Sequence, residues 1–135
     1  MELKSQQRIL VTELEKNKNI KLYKKYNKFP YPILEACKSN DLEAVKWLHL
    51  NSKKKCRANA MDTAAKIGNL EIVKFLHNNR SEGCSSRAMN WAADRGHLEI
   101  VKFLHFNSTE GCSSRAMDYA ALNGHLEIVK FLKNN

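Results

Sequence analysis

The side chains able to do chemistry in this chain are four cysteines and five histidines, and their spacing decides what chemistry is open to them. Thiolates and imidazoles hold zinc when four donors converge, and a thiol becomes a nucleophile when a base stands beside it. Here Cys56, Cys84 and Cys112 are spaced 28 residues apart, as are His97 and His125, and again His49, His77 and His105. Such regularity spreads the groups one per unit along an array, whereas a reactive site needs one convergent constellation. Stacked equivalents would sit at about the 8–10 Å of packed helices, too far for a disulfide or a shared zinc, and no CxxC pair exists. Cys37 falls in register with alanines and is expected to pack there. No nucleophile has a nearby base, no glycine-rich loop could cradle phosphate, and no carboxylates pair in a unique setting. The chain is therefore expected to be no enzyme, with no catalytic residue, no metal site and no cofactor. Its thiols are expected to be structural, in a reducing intracellular compartment, cytoplasmic or nuclear.

The elements that carry these residues are copies of one unit. Cys84 to Asn107 and Cys112 to Asn135 align without a gap and match at 18 of 24 positions. The period runs back through Leu42, Leu70, Leu98 and Leu126, through Trp47, Phe75, Phe103 and Phe131, and through the small pairs Ala36-Cys37, Ala64-Ala65, Ala92-Ala93 and Ala120-Ala121. About four repeats result, at residues 28–55, 56–83, 84–111 and 112–135, after a flank of residues 1–27. A fixed period of this size marks a solenoid whose units bury their apolar faces by stacking. Each unit reads as two short helices. Gly96 separates the alanine-rich stretch Arg87 to Arg95 from the apolar stretch Leu98 to Asn107, as a left-handed cap would, and Ser85 or Ser86 suits the N-cap before it. In the second helix only Glu99, Lys102 and His105 form a polar stripe, so the rest of its circumference should be buried. No sustained period-two alternation supports strands.

Ala120-Ala121-Leu122-Asn123-Gly124-His125-Leu126-Glu127-Ile128-Val129-Lys130-Phe131-Leu132 resembles the core of an ankyrin repeat. It recurs at Ala92 to Leu104 and Ala64 to Leu76, and more loosely at Ala36 to Leu48, so the resemblance covers about four-fifths of the chain. It implies an all-α, ankyrin-like helical repeat solenoid that binds other proteins and is not an enzyme. It also implies that His97 and His125 pack and bond locally in their turn. Two departures stand out. The family's unit is about 33 residues, so the hairpin fingers between units should be short or absent. The family's Thr-Pro-Leu-His opening is replaced by Arg115-Ala116-Met117-Asp118 and its counterparts, and only Pro32 keeps the helix-starting proline.

A candidate binding face follows from where the copies differ. Four of the six differences between the third and fourth copies lie in the first helix, at Asn90/Asp118, Trp91/Tyr119, Asp94/Leu122 and Arg95/Asn123. At about 100° per residue these positions span one face, while the repeated Ala88, Met89, Ala92 and Ala93 span the other. The same register adds Leu34, Glu35, Lys38 and Ser39, then Asp62, Thr63, Lys66 and Ile67. Trp91 and Tyr119 are the expected anchors, because aromatic residues and arginine dominate binding hot spots. Glu35, Lys38, Lys66, Asp94 and Arg95 would set specificity, with Thr63, Ile67, Leu122 and Asn123 completing the face. The alternative is a face that merely drifts in solvent.

Charge supports a rival reading. Of the net charge of +9, residues 1–55 carry +7 and residues 56–135 carry +2. Lys18, Lys21, Lys24, Lys25 and Lys28, interleaved with Tyr23, Tyr26 and Phe29, and the cluster Lys53-Lys54-Lys55 could contact a nucleic-acid backbone or stand as a solvated flank. The flank's Ile9, Leu10, Leu14, Ile20 and Leu22 suggest one or two amphipathic helices capping the first repeat, and no run is long enough to span a membrane. At the other end Ile128, Val129, Phe131 and Leu132 repeat the sandwiched pattern without a polar replacement. Either the chain is a piece of a longer array, or its end packs on a second copy. A third possibility is a purely structural scaffold with no partner.

Overall fold

The computed structural model describes residues 2–108 and 114–135, with side chains from residue 13 onward in the first helix and from residue 115 in the eighth. The expectation for Cys112 lies outside these residues. Among the described residues there are nine helices and no strand: α1 (Glu2–Tyr26), α2 (Pro32–Lys38), α3 (Leu42–Asn51), α4 (Ala58–Ile67), α5 (Leu70–Asn79), α6 (Ser86–Arg95), α7 (Leu98–Asn107), α8 (Ser114–Leu122) and α9 (Leu126–Asn134). After α1 they pair as α2/α3, α4/α5, α6/α7 and α8/α9, and the protein is an all-α repeat solenoid. Between α3 and α4, and between α5 and α6, only six residues intervene, so the connections are as short as the 28-residue period predicts.

The turn within each unit is set by backbone chemistry. Gly68, Gly96 and Gly124 take φ of 95°, 83° and 75°, and in the first unit Asn40 fills the same register at φ 55°, the left-handed cap conformation that glycine and then asparagine tolerate best. The next residue starts the second helix. Asp41 accepts a hydrogen bond from the Ala44 amide and Asn69 from the Ile72 amide, both at 3.0 Å, as Asx N-caps do. His97 and His125 make no such cap bond. Their rings reach back to the preceding unit, where Nε2 of His97 lies 3.2 Å from the Lys66 carbonyl and Nε2 of His125 lies 3.0 Å from that of Asp94. The expectation of a local role is thus corrected, since each imidazole ties two units together.

Packing follows the small pairs. Ala36, Ala64, Ala65, Ala88, Ala92, Ala93, Ala116 and Ala120 are all buried, and alanine lets first helices approach closely. The first-helix row, α2 to α4 to α6 to α8, is accordingly in more intimate contact than the row α3 to α5 to α7 to α9. A row packed more closely than its companion bends the stack toward itself, which makes the first-helix side the concave one. The second helices meet through Val45, Val73 and Val101 and through Leu48, Leu76 and Leu104, all buried, each contributing about 1.5–3 kcal/mol by removal from water. His49, His77 and His105 stand edge-on to Phe75, Phe103 and Phe131 of the next unit, with ring centroids 5.4–5.5 Å apart, an arrangement that suits the ring quadrupoles. In the first unit Trp47 occupies the phenylalanine position, and Tyr23 of α1 meets it edge-on at 6.4 Å.

The candidate recognition face

The predicted face is on the first helices, and its members divide into three groups. On α2, Lys38 and Glu35 pair with each other at 3.2 Å. In the middle, Lys66 of α4 lies over the Trp91 ring of α6, with Nζ 4.9 Å from the centroid, so the cation and the aromatic ring meet across two repeats. Thr63 is half-buried beside them in sequence and Ile67 is exposed. Towards the last repeat, Asn123 donates to Asp94 Oδ1 at 2.6 Å and to the Asp94 carbonyl at 3.2 Å, while Arg95 Nε lies 3.9 Å from Asp94 Oδ2. Tyr119 is 40% exposed and Leu122 is 81% exposed. Trp91, Asp94 and Tyr119 line one cleft of about 340 Å³ between α6 and α8, together with Arg87, Asn90 and Arg115.

Two of these residues escape a search based on variation. Arg87 and Arg115 are identical in the two copies, so comparing the copies assigns them to the repeated background. They nevertheless stand exposed beside the varied positions. The usable signal was that they are repeated charged residues with no repeated acidic partner at helical spacing.

One member of the predicted ladder leaves the face. Asp62 is buried, and its carboxylate accepts from the Ser85 amide at 2.8 Å and from the Ser85 hydroxyl at 2.6 Å. Ser85 in turn caps α6 by accepting from the Arg87 amide. The carboxylate thus anchors the N-terminus of the next first helix, where the orphan amides favour negative charge. Leu34, from the same predicted ladder, packs against the core.

The basic front end is tied down at Tyr26 and Lys54, while its other lysines stay exposed. Tyr26 is buried with its hydroxyl 3.3 Å from Asp41. Lys28 stands over Phe29, and Arg57 over Tyr31. Lys54 Nζ donates to the Asn27 carbonyl and, at 3.2 Å, to that of Phe29, closing on the carbonyl end of α1. Lys18, Lys21, Lys24 and Lys25 remain exposed along α1, as do Lys28, Lys53 and Lys55 beyond it.

The thiols and imidazoles stay dispersed. Cys37 and Cys56 are free thiols, Cys84 Sγ lies 3.5 Å from the Ser108 hydroxyl, and burial pushes the Cys37 thiol up to about 12. Among the described residues no group of three or more histidines, cysteines and carboxylates could hold a metal ion. Nor is any described helix long and apolar enough to cross a membrane. Arg80, in the loop before α6, forks onto Glu82 at 2.6–3.2 Å and reaches His49 Nδ1 at 3.0 Å. That guanidinium holds the Glu82 carboxyl below its ordinary range and fastens the loop to the first unit.

Paired helices stacked at a 28-residue period, capped by left-handed glycines and stitched by inter-unit histidines, define a helical repeat protein. The family model for ankyrin repeats, in three copies, matches residues 33–113 and 64–135, and the chain belongs to the ankyrin repeat family. Among solved structures it is similar to a chain of the crystal structure of the yeast ribosomal protein Rps3 in complex with its chaperone Yar1. The two are 21% identical with a TM-score of 0.62, over 76% of this chain and 90% of that one, which is a likeness of fold. No match was found among curated proteins.

Proposed function

We propose that the protein is a non-catalytic interaction module that binds a partner protein through the concave first-helix face. One observation carries this reading. Among the described residues packed against the hydrophobic core, neither Trp91 nor Tyr119 is found, so two large aromatics have no core role and flank an open cleft. Trp91 is half-buried and Tyr119 exposed, and tyrosine and tryptophan beside arginine are the residue types that dominate binding energy. Glu35, Lys38, Thr63, Lys66, Ile67, Asp94, Arg95, Leu122 and Asn123 extend the surface along the array. The solved neighbour comes from a complex of two proteins, a ribosomal protein and its chaperone, which supports a protein as the partner. The free thiols suit a reducing intracellular compartment. The nucleic-acid reading weakens because Tyr26 is buried and Lys54 is engaged by backbone carbonyls, leaving fewer of the rings and cations that single strands need.

Affinity capture from a cell lysate, with and without nuclease, tests the reading against a Trp91→Ala/Tyr119→Ala variant checked to remain folded. A protein recovered by the parent, resistant to nuclease and lost with the variant is the expected result. Capture that requires nucleic acid and ignores the variant would transfer the function to the basic front end. The last repeat supports a second mode, self-association, since Leu122 and Leu126 are 81% and 64% exposed there. A mass that stays monomeric in light scattering across a dilution series overturns that mode.

A further inference from the structure

We infer that the cleft between α6 and α8 recognises an acidic side chain set beside an apolar one in a segment of the partner protein. This rests on the concave face being the recognition surface. The cleft is lined by Arg87, Asn90, Trp91, Asp94, Arg115 and Tyr119. Arg87 and Arg115 are exposed, and among the described residues neither guanidinium makes an ion pair or a side-chain hydrogen bond. Lys46, Lys53, Lys55 and Lys133 are likewise exposed without an ion pair among the described residues. It is their place in the cleft that singles out the two arginines, while other cations of the array are paired. Lys38 has Glu35, Arg80 has Glu82, Lys102 has Glu99 and Lys130 has Glu127, while Lys66 is taken up by the Trp91 ring.

The acid within the cleft does not serve the arginines, because the Asp94 carboxylate is held by Asn123 and approached by Arg95. Asp118 is exposed on α8 but is not among the lining residues. Two planar donors one repeat apart therefore remain open, each able to grip a carboxylate through two parallel bonds. The rings of Trp91 and Tyr119 provide apolar surface within the same 340 Å³, enough for one or two side chains. Asn59 replaces arginine in the second repeat, so the arginine pair is confined to the third and fourth repeats, where the cleft lies. A guanidinium kept in both copies while four neighbouring positions change, with no ion pair to maintain among the described residues, favours a ligand. The net charge of +9 favours encounter with an acidic segment.

Selection from a displayed library of random twelve-residue peptides tests this without knowledge of the partner. Peptides retained by the parent protein should be enriched in Asp or Glu next to an aromatic or aliphatic residue. Their binding, measured by fluorescence anisotropy, should weaken about ten- to a hundredfold in Arg87→Gln/Arg115→Gln, the size expected for losing charge-assisted bonds. Lys130→Gln, which removes a cation far from the cleft, should leave binding unchanged. Arg87→Glu/Arg115→Glu should instead select basic peptides. Both arginines are exposed, so the variants should keep the parent's circular dichroism and melting temperature. Apolar peptides without acidic enrichment, still lost in Trp91→Ala, would overturn the acidic specificity and leave the binding face intact. Peptides indifferent to Trp91, Tyr119 and both arginines, or no selected peptide at all, would overturn both. Displacement of the selected peptides by a thirty-nucleotide oligothymidylate at low affinity cost would overturn the protein-segment reading in favour of phosphate binding.

Discussion

At the scale of single residues, the same local sequence meets different neighbours, and this separates backbone strain from packing. Gly96 and Gly124 share a left-handed backbone, but a Cβ at Gly96 would lie 2.7–3.1 Å from the His125 ring, while one at Gly124 would meet nothing within 4 Å. Gly124→Ala should therefore cost about 1 kcal/mol from conformation alone, and Gly96→Ala clearly more, as read from urea midpoints. Asp62→Ala should cost about 1–3 kcal/mol, because it removes the acceptor of two Ser85 donors in a half-buried setting. Cys37 provides a pH-dependent prediction. Burial, with the Cys56 thiol nearby, pushes its thiol from the ordinary value of 9.0 up to about 12, so the folded state holds the proton more tightly. Stability from this source is complete below about pH 9 and is lost as pH rises towards 12. Cys37→Ala, which installs the residue found at Ala65 and Ala93, should fold and flatten the decline by up to about 1.4 kcal/mol per pH unit. Equal slopes for parent and variant in denaturant titrations at pH 9 and 10.5 would contradict this.

At the scale of elements, the connections explain which parts of the chain were legible. Helices, their glycine caps and their two faces could be read because period and punctuation are local properties of the chain. The pairing of Asp62 with Ser85 and of Lys54 with the carbonyls of Asn27 and Phe29 could not, because those partners are 23 to 27 residues away. Lys54 was a candidate for nucleic-acid contact on composition, and its structure assigns it to the end of α1. Lys54→Ala should accordingly speed amide hydrogen exchange in the last turn of α1 and around residues 27–29, with little change in α5 to α9. A uniform change across the array would show that Lys54 acts on global stability instead.

At the scale of the whole molecule, stacking decides the worth of each side chain. Leu98 to Leu104 and Leu126 to Leu132 are identical heptapeptides, yet Val101 is buried between α5 and α9 while Val129 is only half-buried at the last repeat. Val101→Ala should cost about 1–3 kcal/mol by cavity formation and Val129→Ala less than half as much, measured by chemical denaturation at low protein concentration. Equal costs would mean that something covers the last repeat. By itself, the sequence determined the repeat, the all-helical architecture, the short connections and the side of the first helix that varies, because each is written in short-range periodicity. Only the tertiary structure decided that Asp62 turns inward, that His97 and His125 bridge units, and that Arg87 and Arg115 line one cleft with Trp91 and Tyr119. Those outcomes depend on which atoms of neighbouring repeats come within hydrogen-bond distance, and a one-dimensional period carries no such distance.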